Sequence, residues 1–217
     1  MRDPRRLRLM VVTSGTLVPS LDHLALAEAA ILGGATSVQL RAPELGDDAL
    51  LPVAREISAL CRDAGVLFLV NDRVEVALAS GADGAHVGQF DDPETARARL
   101  GPDRVLGISV AGGVQASVAA RLGADYLGVT VWPTRTKPEA RGGGVAGIRT
   151  VISAVDVPVV GIGGIDLQNL GGVFDAGAAG IAVISAVAAA VDPVAATREL
   201  RTRIERWEDA PHGATNR

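Results

Sequence analysis

The sequence predicts an α/β fold, a single (β/α)8 barrel of the TIM type. Short and nearly continuous apolar segments of strand length recur along the 217 residues, and Ala- and Leu-rich segments with helical spacing separate them. Continuously apolar strands are typical of parallel sheets that helices cover on both faces. Alternating strands and helices allow either a closed barrel or an open doubly wound sheet. Eight such units in about 200 residues favour the barrel.

Eight strands and eight helices are predicted in strict alternation. The strands are LRLMVVT (7–13), TSVQLR (36–41), VLFLVN (66–71), GAHVG (84–88), RVLGISV (104–110), DYLGVTV (125–131), VPVVGIGG (157–164) and GIAVIS (180–185). The helices span residues 20–34, 47–65, 73–81, 92–101, 113–123, 144–155, 166–177 and 192–208, and several end in Gly, the usual residue after a helix. No linker interrupts residues 1–207, so we expect one barrel domain there and a disordered tail at 208–217.

Composition and charge exclude several classes of protein. The net charge of −4 argues against a nucleic-acid or acidic-membrane partner, because both need a basic surface. No stretch approaches the roughly 18 apolar residues of a membrane span, and the apolar run near the N-terminus is too short for a signal peptide. The single cysteine, Cys61, excludes an internal disulfide and indicates a reducing compartment. We therefore expect a cytoplasmic protein.

Polar side chains interrupt the apolar pattern where the predicted strands end, and TIM barrels carry their chemistry at those ends. Because all eight strands end at one rim, we expect these side chains to face the same mouth. His86 precedes the rim and is expected to make a core hydrogen bond instead of acting as an acid or base. The set comprises Gln39, Arg41, Asn71, Asp72, His86, Gln89, Asp91 and Ser109.

Two carboxylates, Asp72 and Asp91, follow neighbouring strands. At that spacing they can share a Mg²⁺ ion, which favours one or two carboxylates together with phosphate oxygens of the substrate. The alternative is that each acid only caps the helix that follows it, a common position for Asp. The sequence alone leaves both interpretations open.

Three further segments suggest anion binding. Arg41 points the same way as Gln39 along its strand and can hold a phosphate, although a salt bridge at the rim is an equal alternative. The segment GIGGI (161–165) and the later AVISA (182–186) resemble the phosphate site after strands seven and eight of such barrels, with tight turns as the alternative. The loop VWPTRTKPEARGGG (131–144) adds Thr134, Thr136 and Lys137.

The segments GGATSVQLR, VNDRVEVALASGADGAHVGQFD, GISV, GADYLGVTVWPTRTKP, VPVVGIGGI and GIAVISAV resemble, in order and spacing, the thiamine-phosphate synthase family. The resemblance runs from Leu9 to Pro193, and its most specific parts are NDR with HVGQFD and the TRTKP loop. It implies a transferase of thiamine biosynthesis that joins 4-amino-5-hydroxymethyl-2-methylpyrimidine diphosphate to a thiazole phosphate, with release of pyrophosphate. It also implies small-molecule substrates, Mg²⁺ as cofactor and self-association, which is frequent among related barrels.

By position, the resemblance also assigns roles to single residues. Asp72 and Asp91 match the Mg²⁺ ligands. Lys137, Ser109 and Arg41 are the expected catalytic residues. The pyrimidine diphosphate site corresponds to Gln39, Arg41, Asn71, Ser109 and Lys137, the thiazole side to Thr134 and Thr136, and the thiazole phosphate site to Gly164, Ile184 and Ser185.

Two segments depart from the family pattern. Pro43 stands where the family usually has a lysine, so one cation for the diphosphate is missing, and Met10 and Ser14 stand in the first strand where a Tyr and an Asp are frequent. We expect weaker diphosphate binding, offset by Arg135 or Arg141. The departures keep two alternatives open, a thiazole tautomerase-like barrel and a non-catalytic barrel that binds thiamine phosphate.

Overall fold

A closed barrel of parallel strands forms the centre of the computed structural model of this protein, which describes residues 3–14, 22–88, 91–133 and 142–210. Within these ranges the strands are β1 (Leu9–Val12), β2 (Ser37–Leu40), β3 (Leu67–Asn71), β4 (Gly84–Val87), β5 (Val105–Val110), β6 (Tyr126–Thr130), β7 (Val159–Ile162) and β8 (Gly180–Val183). Each strand pairs with the next along the chain, and β8 closes the barrel on β1. The predicted TIM barrel is therefore confirmed, and the open sheet is excluded.

The helices surround the barrel. They are α1 (His23–Leu32), α2 (Asp47–Ala64), α3 (Val74–Ser80), α4 (Pro93–Leu100), α5 (Gly113–Arg121), α6 (Gly144–Ile152), α7 (Leu170–Asp175), α8 (Ser185–Ala188) and α9 (Pro193–Asp209), preceded by a 3₁₀ helix (Pro4–Leu7). The prediction of eight α-helices is wrong by one for the described residues, because the four-residue α8 is too short to show a helical period. Helix α9 continues to Asp209, so the tail expected from 208 begins in a helix, and residues 211–217 lie outside the described ranges.

No helix in the described part of the chain is long and apolar enough to cross a membrane.

Alternation along each strand separates two apolar layers. On β1, Leu9 and Val11 pack outward against the helices, whereas Met10 and Val12 point into the barrel. The outer layer is by far the larger, as expected where eight helices cover a sheet that consists mainly of Val, Leu and Ile. The small inner cluster closes the bottom of the barrel and leaves its upper end available for a cavity.

A buried hydrogen-bonded cluster joins the ends of β1 and β2. The Thr13 hydroxyl is fully buried; it accepts the backbone N–H of Arg41 at 3.1 Å and contacts His23 Nδ1 at 2.8 Å. His23 Nε2 lies 2.8 Å from a carboxylate oxygen of Glu44 in the loop after β2. The cluster therefore holds Arg41 in register with β1, where the side chain of Arg41 faces the rim.

Glu44 should make the stability of this cluster depend on pH. Its partial burial raises the pKa of Glu44. Hydrogen bonds from its own backbone and from His23, together with the charges of His23 and Arg41, outweigh that effect and hold the pKa below its ordinary value of 4.5. A lowered folded-state pKa stabilises the fold above the unfolded-state value, and the contribution is lost as the pH falls through the folded-state value.

We expect the free energy of unfolding of wild type to fall relative to that of Glu44→Gln as the pH drops below about 4.5. Urea unfolding at a series of pH values measures this difference. Glu56→Gln is the matched control, because it removes an exposed carboxylate on α2, away from Glu44. If both substitutions changed the free energy of unfolding equally at low pH, the contact between Glu44 and His23 would not be the cause of the pH dependence.

Candidate active site

A cavity of about 560 Å³ opens at the C-terminal ends of the strands. Every predicted site residue that lies in the described ranges lines it, although these residues come from six different strand ends and span most of the chain. The prediction that they face one mouth is therefore confirmed as geometry. They are Gln39, Arg41, Asn71, Asp72, Asp91, Ser109, Gly164, Ile184 and Ser185.

The predicted residues Thr134, Thr136 and Lys137, together with Gln89, Arg135 and Arg141, lie outside the described residues. The described chain stops at Pro133, which lines the cavity, and resumes at Gly142, two residues before the start of α6. The roles assigned to this loop stay predictions.

Asp72 occupies an unusual backbone position at the end of β3. Its φ of +60° is the only positive value at a non-glycine residue in the described part of the chain. The N–H of Arg73 donates to the carbonyl of Asn71 at 2.7 Å and closes a three-residue turn around Asp72, whose own N–H donates to the carbonyl of His86 at 2.8 Å. Such conformations cost on the order of 1–3 kcal/mol and cluster at functional sites.

Neither Asp72 nor Asp91 caps a helix. Helix α3 begins after Arg73 without a side-chain cap, and the carboxylate that caps α4 belongs to Asp92, which accepts the N–H of Glu94 at 3.1 Å. Asp91 instead accepts the N–H of Gly88 at 2.6 Å and lines the cavity. The helix-cap alternative for the two predicted acids is therefore wrong.

The charge of the cavity wall is unbalanced. Among the described lining residues, Arg41 is the one guanidinium or ammonium group, against the two carboxylates of Asp72 and Asp91. Arg41 makes no ion pair within the described part of the chain, so the rim salt bridge is not observed there. A polyanionic ligand would need further positive charge at this end of the cavity.

A glycine turn follows β7 and lines the cavity. Gly163 and Gly164 have φ values of +95° and +65°, which favour glycine, and a Cβ on Gly164 would lie 3.0 Å from the Cβ of Trp132. The carbonyl of Gly163 accepts the N–H of Trp132 at 3.3 Å, and that of Gly164 accepts the side-chain amide of Asn169 at 2.8 Å. The C=O and the N–H of one trans peptide point in opposite directions. The N–H groups of Gly164 and Ile165 therefore point away from Trp132 and Asn169.

Ile184 and Ser185, at the start of α8, line the same end of the cavity as Gly164. Glycine N–H groups beside the start of a short helix after β8 are the arrangement that binds phosphate in many barrels of this type. The positive φ values fit the tight-turn alternative equally well, so the phosphate role of this segment stays a prediction.

Tyr126 is an inward-facing residue that the sequence did not single out. It lines the cavity floor together with Met10, whose Sδ lies 3.5 Å from the amide nitrogen of Gln39. His86 makes the expected core hydrogen bonds, with Nδ1 2.8 Å from the Tyr126 hydroxyl and Nε2 2.9 Å from the Ser109 hydroxyl. Strand parity alone places Tyr126 inside the barrel, but not against His86.

The sequence matches a protein family model and is similar to several named proteins. The family model described as thiamine monophosphate synthase matches residues 9–187. A thiamine-phosphate synthase from Methanoregula boonei is 47% identical over 203 residues, covering 92% of this chain and 94% of that protein. A thiamine-phosphate synthase from Moorella thermoacetica is 46% identical over 201 residues, covering 91% of this chain and 96% of that protein.

Solved structures agree with this relationship. Thiamine phosphate pyrophosphorylase from Pyrococcus furiosus superposes with a TM-score of 0.87 at 38% identity, over 94% of this chain and 98% of that one. A 3-hexulose-6-phosphate synthase, at 20% identity and a TM-score of 0.62, shares the fold alone. With a family model that matches most of its length and relatives above 40% identity, the chain belongs to the thiamine monophosphate synthase family.

Proposed function

We propose that this protein is a thiamine-phosphate synthase, which joins 4-amino-5-hydroxymethyl-2-methylpyrimidine diphosphate to a thiazole phosphate. The bond between the pyrimidine methylene carbon and the diphosphate oxygen breaks, and a bond from that carbon to the thiazole nitrogen forms. Thiamine phosphate and pyrophosphate are the products, and CO₂ also leaves when the thiazole is carboxylated. The names of the relatives support the same reaction.

The observation that carries the proposal is the distribution of polar groups over one cavity. The end near β2, β3 and β4 holds Arg41 and the two acids, and the end near β7 and β8 is lined by Gly164 and by Ser185 at the start of α8. Two separate anion positions suit two phosphorylated substrates, and the apolar wall between them suits two aromatic rings.

Asp72 and Asp91 fit a Mg²⁺ ion by the chemistry of their donors. Both are carboxylates on one cavity wall, and no group of three or more His, Cys, Asp or Glu ligands exists among the described residues. Mg²⁺ suits such a sparse site, because it keeps several waters and takes phosphate oxygens as further ligands. When bound, the ion would supply positive charge to the departing diphosphate.

The chain's own residues would bind and orient the reactants. Arg41 presents a guanidinium to the diphosphate, and Ser109 presents a hydroxyl from the inner face of β5. Ionisation of the pyrimidine diphosphate followed by capture of the cation by the thiazole nitrogen requires charge stabilisation and close positioning. It does not require a protein nucleophile. Lys137, from the loop outside the described residues, is the further cation expected at the diphosphate.

Incubation with both substrates and Mg²⁺, followed by mass detection of thiamine phosphate and pyrophosphate, tests the reaction. Calorimetry separates the alternatives, because a coupling enzyme should bind the pyrimidine diphosphate in a Mg²⁺-dependent manner. Tight binding of thiamine phosphate without turnover, or thiazole isomerisation without coupling, would contradict the proposal.

Asp72→Asn and Asp91→Asn should each lower kcat/KM by about 100-fold or more, because each removes one charge from the proposed Mg²⁺ site. Both variants should also require a higher Mg²⁺ concentration for half-maximal rate. Initial rates over a Mg²⁺ titration measure both effects.

Asp92→Asn is the matched control for these variants, because Asp92 is the neighbouring acid that caps α4 and Asn caps helices equally well. It should leave the Mg²⁺ titration unchanged. Wild-type Mg²⁺ dependence in Asp72→Asn and Asp91→Asn would remove the metal role from both acids.

Pro43→Lys should lower the KM for the pyrimidine diphosphate. Pro43 is exposed in the loop that follows Arg41, and one added exposed cation is worth on the order of 1 kcal/mol, or about fivefold. Pro43→Gln controls for the loss of the proline ring, and the gain should shrink at high salt. An unchanged KM, or an equal change in Pro43→Gln, would contradict the idea that a missing cation weakens binding.

A further inference from the structure

A chain of three polar side chains crosses the floor of the cavity. It runs from Tyr126 on β6 to His86 on β4 and ends at Ser109 on β5. The His86 contacts are 2.8 Å to the Tyr126 hydroxyl and 2.9 Å to the Ser109 hydroxyl. Tyr126 and His86 are both buried, so each polar atom of the two side chains needs a partner.

The barrel wall is shaped around this chain. A Cβ on Gly107 of β5 would overlap the Tyr126 ring and the Nδ1 side of His86. A Cβ on Gly128 of β6 would lie 3.0 Å from His86 Cε1. Glycines at both positions therefore make the space that the two rings occupy, and the rings lie in contact with centroids 5.4 Å apart. The packing of the barrel wall is therefore specific for these two rings.

The direction of the hydrogen bonds follows from the buried phenol at its start. Burial raises the pKa of Tyr126, so the phenol keeps its proton. A buried hydroxyl proton needs an acceptor, and His86 Nδ1 lies 2.8 Å from the Tyr126 oxygen. The phenol therefore donates and the ring nitrogen accepts.

The opposite direction leaves a buried donor without a partner. If His86 Nδ1 carried the proton, the Tyr126 oxygen would accept it. The Tyr126 O–H would then lose the acceptor that His86 Nδ1 otherwise supplies, inside a side chain that is 1% exposed. An unsatisfied buried donor costs about 1–3 kcal/mol. The direction from Tyr126 to His86 gives this hydrogen its acceptor.

We infer that Tyr126 and His86 are positioning residues that fix His86 as its Nε2–H tautomer and thereby make Ser109 a hydrogen-bond donor to the cavity. His86 Nε2–H occupies a lone pair of the Ser109 oxygen, so the serine hydrogen is directed to whatever lies in the cavity. The ligand atom placed there must be an acceptor, such as a phosphate oxygen or an unprotonated ring nitrogen, and an amino group is disfavoured. The substrate part of this inference rests on the proposed function, whereas the tautomer does not.

The tautomer is measured directly on the protein without substrate. In ¹⁵N-histidine-labelled protein near neutral pH, long-range ¹H–¹⁵N correlation should show His86 with a protonated Nε2 and an unprotonated Nδ1. Comparison with His86→Gln assigns the signals, since the chain has 3 histidines. A protonated Nδ1, or a doubly protonated ring, would overturn the inference whatever the enzyme's activity.

Tyr126→Phe tests the relay itself. Removing the phenol hydrogen should abolish the preference for Nε2–H, because the Ser109 hydroxyl can then donate to His86. We expect kcat/KM for the coupling reaction to fall about tenfold, the size of one lost hydrogen bond. Thr197→Val is the matched control; it removes a fully buried hydroxyl from α9, far from the cavity, and should change neither the tautomer nor kcat/KM.

A double-mutant cycle separates positioning from general destabilisation. Tyr126→Phe should lower kcat/KM when Ser109 is present. In a Ser109→Ala background it should lower kcat/KM little further, because no hydroxyl remains to orient. Fully additive losses would overturn the relay. Absence of any coupling by wild type would contradict the proposed function, while the tautomer measurement would still decide the inference.

Discussion

Parallel closure of eight strands is the constraint on which the site depends. All strands run in one direction, so their C-terminal ends meet at one rim, and residues as distant along the chain as Gln39 and Ser185 reach the same cavity. Closure also removes the edges of the sheet, which leaves only side chains to fill or line the interior. The cavity exists where the apolar filling of the interior stops below the rim.

The interior of the barrel combines two kinds of packing. Its lower part is apolar, with Leu67 and Leu69 beside Met10, and needs no hydrogen bonds. Above it the buried polar chain through Tyr126 and His86 is stable only because each member finds a partner on another strand. Gly107 and Gly128 leave room for these rings because they have no side chain of their own. The polar floor of the cavity therefore depends on two glycines in the barrel wall.

Charge at the rim is distributed differently from what the ligand would need. Two acids and one arginine in the described wall give it a net negative charge, which would repel a polyanion unless a cation joined the acids. The exposed Pro43 adds no charge in the loop that follows Arg41. The backbone of Arg41 is held by the Thr13 hydroxyl, so the residue that follows β1 helps to position the arginine that lines the cavity.

The sequence by itself determined the order of strands and helices and the candidate residues at the strand ends. These features are local, since apolar period, glycine stops and the position of Asn71 or Asp72 directly after a strand are visible along the chain. Only the tertiary structure decided that the sheet closes, that Asp92 and not Asp91 caps α4, and that His86 contacts Tyr126 forty residues away. The physical reason is that these outcomes depend on register between strands and on competition among neighbouring side chains for the same donors. Neither register nor competition leaves a periodic trace in the sequence.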